Sequence, residues 1–227
     1  MMMMMMKRFQ KDQDYFTKYK ENVDGYLDHN YARKLTKDEV KEKSTKTWYL
    51  PHHGVINENK PGKVRMVFDA ASKVKDQSLN SSLSTGPDLL NSLLGVLLRF
   101  RKHKIAIVAD IEKMFYQVRL KPEDTDSLRF LWHDDPHSKK DPDHYKMLVH
   151  IFGATCSPCC ASYALKRAIT DQKSDFPSNV TDTLLKSFYV DDLLSSKTNE
   201  DKGKELITSS DKLMGNRGFN LTKYNSN

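Results

Sequence analysis

Two adjacent carboxylates, those of Asp191 and Asp192, interrupt an apolar segment of the chain. Residues 184–190 before them are rich in strand formers, and Leu193 and Leu194 restore the apolar character. Because Asp favours tight turns, the segment predicts a β-hairpin with both carboxylates in its turn. Two like charges repel each other unless a hard divalent cation neutralises them, and carboxylate oxygens suit Mg²⁺ or Mn²⁺. Taken alone, the pair also fits an ordinary solvated turn.

A third carboxylate lies at the end of the most apolar strand candidate. Residues 105–109 form a continuous apolar run, and Asp110 follows directly, with Ile111 after it. A buried strand that carries a charge is costly unless the charge is paired or bound to a metal ion. Asp110 is distant in sequence from the Asp191–Asp192 pair, so only the fold can bring the three carboxylates together.

The charge balance favours a polyanionic partner. The 227 residues include 37 basic and 30 acidic side chains, which gives a formal net charge of +7 at pH 7. This excess fits nucleic acid, although net charge alone does not define a binding site. The chain is long enough to bury a core of its own. No apolar run approaches the ~18 residues that cross a bilayer, so we expect no membrane partner.

Three cysteines, Cys156, Cys159 and Cys160, are clustered in the chain. An odd, clustered set does not make a disulfide framework and indicates a reducing compartment. Cys156 and Cys159 have the spacing of half a zinc site, but no second pair follows them. We therefore expect a cytoplasmic protein without structural zinc.

A basic strand is predicted after a turn at 57–62. Its alternation places Lys63, Arg65 and Val67 on one face and three apolar side chains on the other. Two cations on one face suit a phosphate clamp, since Arg can bind phosphate oxygens in bidentate geometry. A solvent-facing basic strand without a ligand is the alternative.

Two segments have strong helical periodicity. Residues 15–27 predict an amphipathic helix, either packed on the main domain or extended along nucleic acid. Residues 36–39 have the pattern of a second helix start. The clearest pattern covers residues 87–103, and its leucines form a stripe that we assign to the core. The stripe comprises Leu89, Leu90, Leu93, Leu94, Leu97 and Leu98.

The order of elements defines the fold class. From residue 105 the patterns predict strand, strand, helix, strand hairpin, helix and strand. The first of these helices covers about 159–170, the second begins in a capping box formed by Thr198 and Asp201, and residues 219–224 form the last strand. This order predicts an α+β fold, with an antiparallel sheet and helices packed on one face.

Six sequence blocks in order resemble the reverse transcriptases, and more narrowly those of the BEL/Pao group of LTR retrotransposons. The blocks are Leu50-Pro51-His52-His53, Val67-Phe68-Asp69-Ala70, Leu98-Arg99-Phe100-Arg101, Ala109-Asp110-Ile111-Glu112-Lys113-Met114, Phe152-Gly153-Ala154 and Phe188-Tyr189-Val190-Asp191-Asp192. One such block is weak on its own, whereas the ordered set is specific. The resemblance covers about residues 48–227.

The resemblance implies a right-hand polymerase fold with fingers and a palm. Residues 1–47 are then an N-terminal charged helical extension, 48–104 the fingers, and 105–227 the palm, with a fingers insertion at about 119–145. The thumb and RNase H are then absent from this chain. They and the protease and integrase would belong to the remainder of a Pol polyprotein.

The implied activity is that of an RNA-directed DNA polymerase, a nucleotidyltransferase that adds deoxynucleotides to a primer 3′-end by two-metal catalysis. Its partners would be an RNA or DNA template with a primer, together with dNTPs. Its location would be cytoplasmic, within virus-like particles. An inactive or co-opted nucleic-acid-binding remnant and an RNA-dependent RNA polymerase remain as alternatives, and the isolated fragment is not expected to be processive.

The resemblance also assigns roles to individual residues. Asp110, Asp191 and Asp192 would hold two Mg²⁺ ions, or Mn²⁺, with the Ile111 carbonyl as a further ligand. Lys223 would protonate the pyrophosphate leaving group. The nucleotide would meet six positions: Lys63 and Arg65 at the triphosphate, Ile111 beside the metal ions, Phe115 as a gate against the ribose 2′-hydroxyl, and Phe152 and Gly153 in a lining turn. Phe152 stands where retroviral enzymes usually carry Gln.

Overall fold

A computed structural model of the protein describes residues 2–42, 44–56 and 62–227. The turn predicted at 57–62 therefore lies, apart from Gly62, outside the described residues. The chain divides into two compact units, the first formed by Met1–Ser84 and Arg119–Ser157 and the second by Thr85–Val118 and Pro158–Asn227. The second unit thus includes residues 85–104, which the sequence had placed with the fingers. Assignment of the predicted domain names to these segments stays a prediction.

The elements alternate irregularly between helix and strand. The helices are α1 (Met2–Lys11), α2 (Gln13–Asp28), α3 (Lys37–Lys41), α4 (Leu79–Ser82), α5 (Leu93–Phe100), α6 (Ser157–Thr170), α7 (Ser178–Ser187) and α8 (Glu200–Gly215). The strands are β1 (Ala32–Lys34), β2 (His52–Ile56), β3 (Val64–Phe68), β4 (Ile105–Ile111), β5 (Arg129–Trp132), β6 (Asp143–Met147), β7 (Phe188–Tyr189), β8 (Asp192–Lys197) and β9 (Leu221–Ser226). Short 3₁₀ segments cover Met114–Gln117 and Pro122–Leu128. None of the helices in the described ranges is long and apolar enough to cross a membrane.

The first unit contains two small antiparallel sheets, one in the order β1-β6-β5 and the other the β2–β3 hairpin. Helix α2 packs its aromatic face inward, as the periodicity predicts, and Tyr19 stacks on Trp132 with ring centroids 5.5 Å apart. The capping box at the start of α3 is also present, with Thr36 and Glu39 as its two members. The packed alternative for the N-terminal helix is therefore the observed one.

His52 is buried in this aromatic core. Its Nδ1 lies within hydrogen-bond distance of the Tyr19 hydroxyl, and its Nε2 is 2.7 Å from the carbonyl oxygen of Leu131. Burial lowers the pKa of His52 to about 4, from an ordinary value of 6.5. The adjacent His53 is exposed, because neighbouring residues of a strand point to opposite faces. The two imidazoles therefore lie on opposite faces of the β2–β3 hairpin.

Acidification is expected to destabilise the protein through His52. The unfolded chain binds a proton on this residue below pH 6.5, whereas the folded protein resists protonation until about pH 4. The stabilisation is therefore complete above pH 6.5 and is lost as the pH falls toward 4, by about 3 kcal/mol. Urea unfolding at several pH values measures this slope. The slope should become shallower in His52→Gln and stay unchanged in the control His53→Gln; equal slopes in both variants would contradict the assignment.

The second unit is built on one four-stranded antiparallel sheet, in the order β7-β8-β4-β9. Alternate residues of β4, namely Ile107, Ala109 and Ile111, face a core formed with helices α6, α7 and α8. The intervening residues, including Asp110, lie on the opposite face of the sheet because strand side chains alternate. The predicted α+β arrangement, an antiparallel sheet with helices on one face, is confirmed.

Three predicted helix boundaries are wrong. The helix expected over 87–103 is only α5, and residues 84–92 before it are irregular. Helix α7 extends to Ser187, into a segment expected to be strand, because its apolar residues suit a helix packed on the sheet equally well. Helix α8 is capped by Asn199, whose side chain accepts a hydrogen bond from the amide of Lys202, rather than by Thr198.

The leucine stripe of α5 is not core, contrary to the prediction. Within the helix only Val96 is buried, and it is completely inaccessible, whereas Leu94 and Leu98 are 67% and 64% exposed. Leu90, Leu93 and Leu97 are exposed as well. The pattern correctly predicts a helix but not which of its faces is buried. A run of leucines does not itself identify the side that packs on the sheet.

Candidate active site

The Asp191–Asp192 pair lies at a two-residue hairpin. Tyr189 of β7 pairs with Asp192 of β8, which leaves Val190 and Asp191 as the loop. The prediction that both carboxylates lie in the turn is therefore wrong for Asp192, which is the first residue of a strand. Val190 has a φ of 55°, which suits the mirror-image turns of tight hairpins but strains a β-branched residue.

The hairpin is tied to its surroundings by backbone carbonyls. The Ile111 amide donates to the carbonyl oxygen of Asp191 at 2.8 Å, so the loop joins the end of β4. The Asn91 side-chain amide donates to the carbonyl oxygens of Leu185 and Phe188, at 3.0 and 2.9 Å. Asn91 gave no signal in the sequence, since an isolated Asn in a polar loop has many ordinary roles.

Asp110 lies directly opposite Asp192 on the neighbouring strand. Directly opposed residues of antiparallel strands have Cβ atoms about 5 Å apart and share one face of the sheet. The hairpin loop adds Asp191 at the end of the same strand pair. The sheet thus brings together the three carboxylates that the sequence predicted would meet.

A β-bulge brings a lysine to this cluster. Strands β4 and β9 change register between Val108 and Asp110, and Lys223 within the bulge has a φ of 54°. Bulges redirect side chains, and here the Lys223 Nζ lies 2.9 Å from Asp110 Oδ1. The neighbouring Thr222 donates its hydroxyl to the Asp110 carbonyl oxygen at 3.3 Å. The predicted site lysine therefore joins the carboxylates.

The three carboxylates repel one another, and this repulsion disfavours the ionised form of Asp192. Burial raises the pKa of Asp192, and the negative charges of Asp191 and Asp110 raise that pKa further. The Lys223 ammonium acts in the opposite direction and lowers it. One ammonium does not balance three carboxylates, so the cluster retains an uncompensated negative charge.

Removing one of these charges is expected to stabilise the metal-free protein. Because the pKa of Asp192 is raised on folding, its ionisation costs more in the folded than in the unfolded state, and stability falls as the pH rises through that pKa. In chelator-treated buffer near neutral pH, Asp192→Asn should therefore unfold at a higher temperature than wild type. Mg²⁺ should raise the melting temperature of wild type more than that of the variant.

Asp182→Asn, at an exposed position of α7, is the control and should leave both values unchanged. A lower melting temperature for Asp192→Asn without metal would show that the Asp192 carboxylate makes a net favourable contact, which contradicts the repulsion described above.

The donor set fits a divalent metal. Carboxylate oxygens are the ligands that Mg²⁺ and Mn²⁺ prefer, and the unbalanced charge at Asp110, Asp191 and Asp192 is what such an ion neutralises. Ile111 follows Asp110 directly and precedes Glu112, whose amide donates to the Asn220 carbonyl oxygen. The Ile111 carbonyl is therefore at the same end of β4 as Asp110. The predicted metal ligands thus lie at one end of the sheet, with Asp110, Ile111 and Asp192 in its strands and Asp191 in the hairpin loop.

The basic strand has the predicted faces. In β3, Val64, Met66 and Phe68 are buried, whereas Arg65 is exposed beside the equally exposed Lys63. Within the described residues neither cation has a carboxylate partner. This hairpin belongs to the first unit, whereas the carboxylates belong to the second.

The small-residue turn at 152–155 also belongs to the first unit. Gly153 has a φ of 98°, and a Cβ there would lie 2.9 Å from the Phe68 carbonyl oxygen, so only glycine fits. Asn80 fixes this turn by donating to the Gly153 carbonyl at 2.8 Å and accepting from the Thr155 amide at 3.0 Å. Phe152 is about half exposed at the tip. The sequence gave no signal for Asn80 beyond its type.

Phe115, the predicted gate residue, is buried rather than freely exposed. It lies in the 3₁₀ segment Met114–Gln117, which follows β4, and is 7% exposed, packed with Met114 in the core beneath the sheet. The Phe115 ring therefore contributes to the packing of the core. Its predicted contact with the nucleotide sugar stays a prediction.

An antiparallel sheet with helices on one face and three carboxylates at one strand end is the architecture of a polymerase palm. Residues 56–224 match the family model for reverse transcriptase (RNA-dependent DNA polymerase). This match covers most of the chain, and the chain belongs to the reverse transcriptase family. No curated protein sequence matches it.

Solved reverse transcriptases share the fold. A foamy viral protease–reverse transcriptase in complex with double-stranded DNA has a TM-score of 0.63 and 16% identity over 90% of this chain. Its variant dRH, also in complex with double-stranded DNA, has a TM-score of 0.64 and 17% identity over 91%. The foamy viral protease–reverse transcriptase in complex with an RNA/DNA hybrid has a TM-score of 0.61 and 15% identity over 88% of this chain. The chain spans between 22% and 36% of those chains.

Proposed function

We propose that this chain carries the catalytic centre of an RNA-directed DNA polymerase, which adds deoxynucleotides to a primer 3′-end with release of pyrophosphate. The observation that carries the proposal is the convergence of Asp110, Asp191, Asp192 and Lys223 at one end of the palm sheet. Family membership supplies the reaction, and the geometry supplies the groups that would perform it.

Two Mg²⁺ ions, with Mn²⁺ as a substitute, would be held by the three carboxylates and the Ile111 carbonyl. When bound, such ions neutralise phosphate charge and activate the attacking hydroxyl. Asp110 and Asp192 face each other across the strand pair. Asp191 lies in the two-residue loop, and its carbonyl oxygen accepts a hydrogen bond from the Ile111 amide, so backbone hydrogen bonds hold all three residues. Positioning by rigid elements favours reproducible geometry.

Lys223 has two roles in this proposal. In the free protein its ammonium partly neutralises Asp110, as the 2.9 Å ion pair indicates. During the reaction the same ammonium would donate a proton to the departing pyrophosphate, which accepts it as its charge develops. The left-handed backbone of the bulge holds the side chain on the carboxylate face for both roles.

The proposal also includes contacts with the nucleotide and the nucleic acid. Arg65 and Lys63 are exposed cations suited to a triphosphate, and Gly153 and Phe152 form a turn that a nucleotide can approach closely. A template with its primer is the proposed polyanionic partner, in keeping with the net charge of +7. The foamy viral neighbours, solved with double-stranded DNA or an RNA/DNA hybrid, support this class of ligand.

The biological setting belongs to the same proposal. The six ordered sequence blocks support a BEL/Pao-type LTR retrotransposon and a Pol polyprotein that also carries thumb, RNase H, protease and integrase. Replication would then take place in the cytoplasm, in virus-like particles.

Single-nucleotide addition tests the function with little dependence on processivity. The chain is incubated at high concentration with a labelled oligo(dT) primer on poly(A), dTTP and Mg²⁺, and the fraction of extended primer is measured. Extension by one or more nucleotides that disappears with chelator is expected. A parallel reaction with a longer form, which continues by about 100 residues or roughly one further domain, should extend the primer further.

Two outcomes would overturn the proposal. Primer and template bound without Mg²⁺ and never extended, even by the longer form, would favour a nucleic-acid-binding remnant. Equal incorporation of UTP and dTTP would favour an RNA polymerase.

A further inference from the structure

The helix that leads into the carboxylate hairpin ends without a connecting loop. Helix α7 ends at Ser187, and β7 begins at the next residue, Phe188. Phe188 is the C-cap residue and is already extended, with a φ of −83° and a ψ of 135°. The last carbonyl groups of a helix have no partner within it, and an extended C-cap does not form the left-handed turn that usually supplies one. Donors for these carbonyls must therefore come from another part of the fold.

Two side chains of the segment around α5 supply these donors. The half-buried Asn91 donates its side-chain amide to the carbonyl oxygens of Leu185 and Phe188, at 3.0 and 2.9 Å. Arg99 donates from Nη2 to the carbonyl oxygen of Lys186 at 2.6 Å. A cation at the C-terminal end of a helix also interacts favourably with the helix dipole. The sequence block that contains Arg99, which has no part in the proposed reaction, thus helps to fix the end of α7.

The Phe188 carbonyl belongs to an edge strand. Strand β7 contains only two residues and stands first in the order β7-β8-β4-β9, so one of its sides faces no further strand. Tyr189 and Asp192 flank the two-residue loop as a hydrogen-bonded pair, so the next pair, Phe188 with Leu193, directs its backbone groups outward. Asn91 therefore donates where the amide of a further strand would otherwise do so. A two-residue strand has few ladder hydrogen bonds, so this added bond matters for its position.

The loop that follows β7 needs such support. Val190 has a φ of 55°, which is unfavourable for a β-branched side chain, and conformations of this kind persist only where the surroundings fix them. The loop lies between two fixed carbonyls. Asn91 holds that of Phe188 on one side, and the Ile111 amide holds that of Asp191 on the other, at 2.8 Å. Loss of either support should let the loop relax and Asp191 move.

We propose that Asn91 is a positioning residue of the active site, with Arg99 in a supporting role. Together they fix the end of α7 and the edge strand, and Asn91 thereby keeps Asp191 at the end of β4, beside Asp110. Asn91 acts through the backbone of the hairpin and not as a metal ligand. The consequences for metal binding and catalysis rest on the proposed function, whereas the effect on the loop does not.

Amide hydrogen exchange tests the positioning without metal or substrate. Asn91→Leu has a similar shape but leaves two carbonyls without their donor. In chelator-treated buffer the Ile111 amide, which donates to Asp191, should exchange at least about 10-fold faster than in wild type, because the loop opens more easily. Amides in the middle of β4 should keep their rates. Asn91→Asp should have a larger effect, since it places a carboxylate against two carbonyl oxygens.

Gln172→Met is the matched control. The buried side-chain amide of Gln172 also donates to two backbone carbonyls of the same unit, those of Ala168 and Leu213, at 2.8 and 2.9 Å. Its loss should lower the overall stability but leave the exchange of Ile111 unchanged relative to the middle of β4. Arg99→Met should act in the same direction as Asn91→Leu but more weakly, because it frees one carbonyl within the helix and none in the strand.

Metal binding gives the functional measurement. Asn91→Leu should bind Mn²⁺ about 10-fold more weakly per mole of folded protein, the scale on which groups that orient metal ligands act. Primer extension should need a correspondingly higher Mg²⁺ concentration for half of its maximal rate, and saturating Mg²⁺ should restore part of the lost rate. A variant that only reduces the folded fraction, as Gln172→Met does, lowers the rate at every Mg²⁺ concentration and leaves this midpoint in place.

The outcomes separate this proposal from the proposed function. Unchanged exchange of the Ile111 amide in both Asn91 variants would overturn the positioning role, whether or not the chain is active. Faster exchange with wild-type Mn²⁺ affinity would overturn it as well, since the loop would then move without consequence for the metal. A wild-type chain that never extends a primer contradicts the polymerase function instead, and the exchange and Mn²⁺ measurements still decide on Asn91. If Asn91→Leu does not fold, Arg99→Met, at an exposed position, provides the same comparison.

Discussion

Asp110→Asn is expected to reduce metal-dependent nucleotide addition by at least about 10²-fold, the scale on which loss of one transition-state charge partner acts. The variant keeps the size of the side chain and the backbone pairing with Asp192, so the sheet should persist. It removes one of the three carboxylates of the proposed metal site and leaves the Lys223 ammonium without its carboxylate partner. Primer extension with Mg²⁺, measured per mole of folded protein, gives the result.

Two further measurements separate chemistry from folding. Asp182→Asn, an exposed carboxylate of the same unit, should retain full activity and shows that a change of one charge is harmless elsewhere. Titration of Mn²⁺, followed by its paramagnetic signal, should show weaker binding in Asp110→Asn. Activity that survives in Asp110→Asn would remove Asp110 from the catalytic centre and with it the proposed metal site.

Phe115→Val is expected to increase the incorporation of ribonucleotides relative to deoxynucleotides by about 10-fold or more, because a smaller side chain leaves room for a 2′-hydroxyl. The ring also packs in the core, so the same variant should lose about 1–3 kcal/mol of unfolding free energy. Competition between UTP and dTTP for the same primer measures the selectivity, and urea unfolding measures the stability.

Met114→Val is the matched control, since Met114 is buried in the same cluster and precedes Phe115 in the chain. It should lose stability to a similar degree and keep the selectivity of wild type. If both variants lose stability and neither changes the ratio of ribo- to deoxynucleotide incorporation, Phe115 is a core residue only and the gate lies elsewhere.

The sequence predicted those parts of the fold in which composition and burial agree. The apolar run before Asp110 identified β4, because a strand buried on one face and flanked by two neighbours needs such residues. The alternation in β3 identified its basic and buried faces. The helix α5 was found by its period, but its orientation was not, since the exposed leucines and the single buried valine are equally apolar.

The candidate site was predictable in its residue types and not in its geometry. The three carboxylates could be expected to meet, yet the position of Asp192 in a strand depends on which residues form the two-residue loop. Lys223 reaches Asp110 through a bulge, and a bulge is a mismatch between two distant strands that neither strand reveals alone. Asn80 and Asn91 each make two hydrogen bonds to backbone groups that are distant in the sequence, and such bonds leave no pattern in the chain.

The bulge in β9 sets a limit on how this protein can diverge. Most exposed strand positions accept substitution, but here the number of residues between Thr222 and Asn225 decides on which face Lys223 stands. Deleting one residue would restore regular pairing and turn the lysine away from the carboxylates, because strand side chains alternate. Natural variants of this strand should therefore differ in residue identity while keeping its length, so that an in-frame deletion of one codon is more harmful here than almost any single replacement.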